Sequence, residues 1–261
     1  MGSSIRLPED FADYLTIKNA TQRFDEATEV AQKITAAGVQ ILPNLDHAAI
    51  FVDPPHLVAG PLKKLGYVSG WDARCYPSPV DGFDYINVSA RLPAEESSAR
   101  QRGWFDYVAV VHPVDEQGLE HMLSQGYGNP FIHHLTWGIN PPKRNDDDDF
   151  EYASHVVPFM VETREITAKA IGDTPGTLII ALPQAVIDHP NYANSLPIWL
   201  ACLDSDAYQV ESMQGEGFLI QFFVLTGGRI EVALRVNTQQ TFNPKSVQKI
   251  SKDEISAVQE E

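Results

Sequence analysis

Two histidines occupy equivalent positions in two short apolar segments of this sequence. Residues 45–52 read LDHAAIFV and residues 132–139 read IHHLTWGI, so aligning the segments places His47 over His134. Because neighbouring residues of a strand point to opposite faces, the alignment selects His134 and directs His133 to the other side. Imidazole is the commonest metal ligand among side chains, so the two histidines could share one metal ion. The alternative is that each is a hydrogen-bonded residue of the core.

Each histidine opens a similar series of predicted elements. In the first series, Pro and Gly residues separate the opening strand at 45–52 from a short helix at 56–65 and from strands at 67–76, 83–92 and 104–112, which gives the order β-α-β-β-β. The second series begins with a strand at 131–139 and a long helix at 150–171, and its further strands are predicted at 177–182, 197–203, 207–213, 218–225 and 229–236. Residues 182–196 stand out as an insertion. This duplication is more specific than one shared histidine and favours two related modules.

The remaining segments flank or join the two modules. Apolar residues recur at helical spacing between Pro8 and Gly38, which predicts a helix over 8–38. A helix is also predicted at 115–126, followed by a turn into the second module. The predicted organisation is an N-terminal helical extension at 1–44, a first module at 45–113, a linker helix and turn at 114–130, a second module at 131–237 and a polar tail at 238–261.

Composition argues against several classes of partner. The formal net charge of −16 repels nucleic acid phosphates and anionic lipid heads, and no cluster of Lys and Arg offsets it locally. No apolar run approaches the roughly 20 residues of a membrane-spanning helix, and the first residues lack the apolar stretch of an export signal. The two cysteines, Cys75 and Cys202, are too few for a disulfide framework. We therefore expect a cytoplasmic protein that binds neither nucleic acid nor membranes.

Two other kinds of chemistry have little support in the sequence. The acidic stretch at 145–149 lacks the alternating ligand spacing and turn glycine of a calcium loop, so we interpret it as the solvated start of the long helix. A G-x-S-x-G motif is absent, and neither cysteine lies in a recognisable nucleophile setting. Both observations argue against a nucleophilic hydrolase.

The paired β-α-β-β-β order, with a histidine on the first strand of each module, resembles the vicinal oxygen chelate superfamily. That superfamily includes glyoxalases, bleomycin-resistance proteins and extradiol dioxygenases, and the resemblance covers residues 45–237. It implies an α+β fold in which paired βαβββ modules form a curled mixed sheet around a central cavity. In the iron-dependent branch, the metal ligands lie on the first strand of each module and on the last strand of the second. Here those places carry His47, His134 and Glu231.

The ligand set implied by this resemblance suits a particular kind of metal chemistry. Two neutral imidazoles and one carboxylate on a single face leave a divalent iron with open positions for substrate and dioxygen. We therefore expect Fe(II), although Mn, Co, Ni or Zn would also fit the ligand types. If the strand alignment of the second module slips, Glu211 is the alternative carboxylate. His112, at the end of a first-module strand, is a candidate general acid or base, and Tyr107 on the same strand is a second candidate catalytic residue.

The predicted function is that of a metal-dependent enzyme, in first place an iron(II) dioxygenase acting on a small organic substrate that chelates the metal through adjacent oxygens. Two alternatives remain open at this point. One is a non-oxidative isomerase or lyase that uses the same site, and the other is a metal-free protein that binds a small molecule, as resistance proteins of the superfamily do. The expected partner is a small-molecule substrate. A homodimer is compatible with the resemblance, because paired modules can be exchanged between chains.

Overall fold

The structure, a computed structural model, begins with short helices that precede the first strand. It describes residues 11–69, 74–77, 83–92, 103, 105, 107–126, 128–144, 148–213, 217–224 and 229–236. The helical extension predicted at the N-terminus is present in its described part, but it consists of three helices, α1 (Phe11–Tyr14), α2 (Ile17–Arg23) and α3 (Asp25–Ala36). The Thr16 side chain accepts a hydrogen bond from the backbone N–H of Asn19 and so begins α2 within the predicted single helix.

The described chain packs as two compact units. The first contains residues 11–27 and the described part of 45–135, and the second contains residues 28–44 and the described part of 136–236. Helices and a mixed sheet occur in both units, which confirms the predicted α+β class. No helix in the described part of the chain is long and apolar enough to cross a membrane.

The first unit has the predicted strand and helix order. Strand β1 (Ile41–Phe51) runs parallel to β5 (Tyr107–Pro113), with Ala48 opposite Val108, and β5 pairs antiparallel with β4 (Asp84–Arg91). The strand predicted at 67–76 is present as two short strands, β2 (Val68–Ser69) and β3 (Arg74–Pro77), which both pair with β4. Between β1 and β2 lie a 3-10 turn, Pro55–Val58, and helix α4 (Ala59–Lys64).

Helix α5 (Glu116–Ser124) covers part of this sheet. Met122 and Leu119 of the helix pack with Ala49 and Phe51 of β1 and with residues of β4 and β5 in one buried apolar cluster. The Asp115 side chain accepts a hydrogen bond from the N–H of Gly118 and caps the helix start, as an acid-started helix requires. The part of β1 that follows His47 is therefore anchored by this packing.

The second unit repeats the order with an addition. Strand β6 (Phe131–Ile139), which belongs to this unit from Thr136 onward, lies next to β10 (Ile230–Val236), followed by β9 (Phe218–Val224), β7 (Leu178–Pro183) and β8 (Tyr208–Met213). Neighbouring strands β10, β9 and β7 are antiparallel, whereas β7 and β8 are parallel. The long helix α6 (Asp149–Ile171) packs against β7 and β9. Strand β8 is thus an extra edge strand beyond the β-α-β-β-β order.

The prediction of a strand at 197–203 is wrong. Those residues lie at the end of helix α8 (Tyr192–Trp199) and in the turn that follows it, and helix α7 (Gln184–Ile187) precedes them in the predicted insertion. A short apolar run has no periodicity that separates a buried strand from a helix. Here Trp199 is buried while the neighbouring Ile198 is 73% exposed, which is the one-sided burial of a surface helix.

Helix α6 begins at the end of the acidic stretch 145–149, which is its predicted solvated start. The Asp148 side chain accepts hydrogen bonds from the N–H groups of Phe150 (2.8 Å) and Glu151 (3.3 Å), and Gly172 ends the helix with a φ of 71°. We expect Asp148→Ala to lower the free energy of unfolding by about 1 kcal/mol, because two backbone donors lose their acceptor. Urea unfolding would measure the change, with the exposed Asp206→Ala as the control. Equal stability of the two variants would contradict this role for Asp148.

Candidate metal centre

His47 lies on β1 in the first unit and is almost completely buried, with 3% of its surface exposed. Its Nδ1 is 2.7 Å from Oδ2 of Asp46, the residue immediately before it. The Tyr107 ring, from the neighbouring strand β5, lies with its centroid 4.8 Å from that of the imidazole in an edge-on arrangement. Both contacts hold the ring of His47 in one orientation.

His134 lies on β6, and its ring centroid is 5.7 Å from that of His47. The two histidines that the sequence alignment matches are therefore brought together in the first unit. His133 contacts the Tyr85 ring at 5.7 Å and the Phe131 ring at 6.4 Å, and Tyr85 donates a hydrogen bond to Met122 of α5. Even so, Nδ1 of His133 is 2.9 Å from Nδ1 of His134, so the two neighbouring rings meet.

Glu231 lies on β10 in the second unit with 3% of its surface exposed. Its Oε2 accepts a hydrogen bond of 2.7 Å from the hydroxyl of Thr136, and its Oε1 is 3.4 Å from Nη2 of Arg235. Thr136 follows His134 by two positions on β6, and residues two apart on a strand point to the same face. The carboxylate of Glu231 is therefore bonded to the residue that shares a strand face with His134.

His47 and His134 can supply two ligands to one ion. Their ring centroids lie 5.7 Å apart within the first unit, and modest side-chain rotation would bring one nitrogen of each to the spacing of about 3 Å that adjacent ligands of a divalent ion have. In the second unit, Glu231 offers a buried carboxylate. Two imidazoles and one carboxylate are also ligand types that transition metals accept. The residues present fit a bound divalent transition metal.

The two candidate catalytic residues lie in different places. Tyr107 is beside His47, as described above. His112 lies near the opposite end of the β1 and β5 pair, beyond Val111, which is opposite Phe51. Phe51 is four positions after His47 on the strand, which corresponds to about 13 Å. Nδ1 of His112 donates a hydrogen bond to the carbonyl oxygen of Pro113 (2.7 Å), and its Nε2 is 3.0 Å from Oδ1 of Asp53. These contacts favour a structural role for His112, and a catalytic role stays a prediction.

The alternative carboxylate, Glu211, lies on another strand of the second unit. Strands β9 and β7 separate β8, which carries Glu211, from β10, which carries Glu231. Three inter-strand spacings amount to about 14 Å along the sheet. The two carboxylates therefore cannot be interchangeable ligands of one ion, and the arrangement of strands favours Glu231.

Glu211 has a distinct electrostatic environment. Burial raises the pKa of its carboxyl above the usual value of 4.5, while its Oε1 accepts a hydrogen bond of 2.7 Å from the Gln209 amide. In the described part of the chain, its buried Oε2 has no hydrogen-bond partner. The folded state thus binds the proton more tightly than the unfolded state does.

This shift predicts how Glu211 affects stability as the pH changes. A raised folded-state pKa means that stability is lost as the pH rises from the unfolded-state pKa through the folded-state pKa. We therefore expect Glu211→Gln to increase the free energy of unfolding relative to wild type at pH 7 by more than it does below pH 4. Urea unfolding of both proteins at the two pH values would measure the difference. A difference between the proteins that does not change with pH would contradict the expectation.

Several contacts of the site have little or no signal in the sequence. Asp46 could have been suspected, because it directly precedes the histidine that it contacts. Thr136 and Glu231, in contrast, are separated by 95 positions, and no spacing pattern links them. Arg235 is four positions after Glu231 on the same strand face. An alternating pattern of polar and apolar residues does not show whether the polar face of a strand lines the protein interior or faces solvent.

Comparisons with known proteins give little further information. No family model matches the chain, and no curated protein sequence matches it. Among solved structures, a triple mutant of 4-hydroxymandelate synthase from Streptomyces coelicolor has 15% sequence identity and a TM-score of 0.42, over 78% of this chain and 50% of that one. A xylose isomerase-like TIM barrel/4-hydroxyphenylpyruvate dioxygenase fusion protein has 13% identity and a TM-score of 0.33, over 77% of this chain and 28% of that one. The chain thus spans half or less of the length of both.

Proposed function

We propose that this chain is a metal-dependent enzyme of the vicinal oxygen chelate type and that His47, His134 and Glu231 bind its metal ion. The observation that carries the proposal is the approach of the His47 and His134 rings, whose centroids lie 5.7 Å apart in the first unit. Two of these residues occupy equivalent positions in the duplicated sequence segments. Two unrelated core histidines would not be expected to occupy equivalent positions of a repeat and also to meet in the structure.

The ligand types favour iron(II), with Mn, Co, Ni or Zn as metals that the same residues could bind. Three protein ligands on one face leave positions for a substrate that presents two adjacent oxygens. When bound, iron(II) would supply Lewis-acid activation of that substrate and chemistry with dioxygen. The proposed reaction is therefore the oxygenation of a small organic molecule.

The surrounding residues would prepare the site for this reaction. Thr136 and Arg235 hold the carboxylate of Glu231 from two sides, which limits the orientations that its oxygens can take. The phenol of Tyr107 could hold or release a proton next to the substrate, because its ring lies against the His47 imidazole. The burial of all three ligands keeps bulk water from competing for them.

Elemental analysis of anaerobically purified protein would test the proposal. We expect near-stoichiometric iron in the wild type and its loss in a double variant, His47→Ala with His134→Ala. A matched control is His56→Ala with His155→Ala, which removes two exposed histidines away from the site. Absence of metal from the wild type would contradict the proposal and favour a metal-free protein that binds small molecules.

A second measurement would separate oxygenation from the non-oxidative reactions that the same ligands can support. Iron-loaded protein would be screened with catechols and 2-oxo acids in an oxygen electrode. We expect oxygen consumption with at least one of these compounds. Turnover that proceeds equally well without oxygen would contradict the dioxygenase assignment and indicate an isomerase or lyase.

A further inference from the structure

Both candidate histidine ligands contact the residue that directly precedes them in the chain. Nδ1 of His47 is 2.7 Å from Oδ2 of Asp46, and Nδ1 of His134 is 2.9 Å from Nδ1 of His133. Asp46 and His133 are themselves equivalent in the aligned segments LDHAAIFV and IHHLTWGI. The duplication therefore extends from the ligands to the side chains that hold them.

These contacts have a chemical consequence for ligation. An imidazole whose Nδ1 is engaged in a hydrogen bond would bind a metal through Nε2, and its remaining proton must then reside on Nδ1. That N–H requires an acceptor that fixes the ring plane and the tautomer. The Asp46 carboxylate is such an acceptor for His47. Neutral His133, with its own proton on Nε2, is such an acceptor for His134.

The two acceptors are held by different means. The carboxylate of Asp46 is 33% exposed, whereas the His47 side chain that it contacts is 4% exposed. His133 is enclosed by the rings of Tyr85 and Phe131. The first acceptor thus contributes a negative charge from the edge of the site, and the second contributes a neutral nitrogen from the packed core.

We propose that Asp46 and His133 are positioning residues that orient His47 and His134 for metal binding through Nε2. This inference rests on the proposed function, because it requires the two histidines to be ligands. Partners of this kind typically change metal affinity by about 10- to 100-fold. A hydrogen bond to a charged acceptor is stronger than one to a neutral acceptor, so the loss of Asp46 has the larger effect of the two.

Titration of the metal-stripped full-length protein with Co(II), followed by visible absorption and calorimetry, tests the inference without requiring a substrate. Asp46→Ala removes the acceptor, and Asp46→Asn keeps an amide oxygen without the charge. His133→Phe and His133→Asn form the corresponding pair. The matched control is Asp53→Ala, because Asp53 Oδ1 is also 3.0 Å from a histidine ring nitrogen, that of His112.

The expected result is a graded loss of Co(II) affinity. Asp46→Ala should weaken binding by about 10- to 100-fold and change the Co(II) absorption spectrum, Asp46→Asn should weaken it less, and Asp53→Ala should bind as the wild type does. Wild-type affinity and spectrum in both Asp46→Ala and His133→Phe would overturn the inference and leave the proposed function standing. An equal loss in Asp53→Ala would also overturn it, since the effect would then be general. Failure of the wild type to bind Co(II) would overturn the proposed function together with the inference.

Discussion

Replacing Glu231 with glutamine is expected to weaken the binding of a divalent metal ion by more than about 100-fold. The substitution keeps the size of the side chain and an oxygen that can accept the hydrogen bond from Thr136, but it removes the negative charge. Loss of a direct ligand should exceed the 10- to 100-fold effects of residues that only support one, roughly by another factor of ten. The Arg235 guanidinium, 3.4 Å from Oε1, would add to the loss by repelling the cation once the carboxylate is gone.

Thermal unfolding with and without Co(II) would measure this effect. A metal ion that binds only the folded state stabilises it by about 2.7 kcal/mol when its concentration is 100 times the dissociation constant. We expect this increase in the wild type and little or none in Glu231→Gln at the same concentration. Glu211→Gln is the matched control, because it neutralises a carboxylate on another strand of the same unit. Equal stabilisation of all three proteins would show that Glu231 is not a ligand.

A second large effect is expected from Phe222→Ala, which should lower the free energy of unfolding by about 3–5 kcal/mol. Phe222 is completely buried in β9 and lies opposite Val232 of β10, the neighbour of Glu231. Removing its ring leaves a cavity that the packed strands can only partly fill. Because the cavity would adjoin the strand that carries Glu231, metal affinity should fall as well.

Urea unfolding would give the stability change, and Co(II) titration in the absence of urea would give the change in affinity. Ile198→Ala is the control for stability, because 73% of the surface of Ile198 is exposed and its loss should change the free energy by less than about 0.5 kcal/mol. Equal stability of Phe222→Ala and Ile198→Ala would contradict the burial of Phe222 in β9.

Local patterns in the sequence determined most of the elements. The polar start of α6, with Asp148 as its cap, and the glycine at its end satisfy backbone groups within a few residues, so both ends of this helix can be predicted closely from the sequence. Strands such as β6 and β10 are bounded by turn residues in the sequence and are rich in apolar residues. The pairing of His47 with His134 also followed from the sequence, because duplicated segments place equivalent residues at equivalent points of the fold.

Only the tertiary structure decided which other side chains accompany the two histidines. Glu211 and Glu231 are both carboxylates on strands of the second unit, and the order of strands in the sheet, which separates them, depends on contacts between distant segments. The same reason explains why Tyr107 lies at His47 while His112, on the same strand, contacts Asp53 instead. Residues 197–203 form the end of a helix and a turn, in which Trp199 is buried and Ile198 is exposed. A short apolar sequence does not specify which of its residues will be buried, so it cannot separate this helix from a buried strand. Sequence determines local hydrogen bonding and periodicity, whereas the site depends on which strands become neighbours.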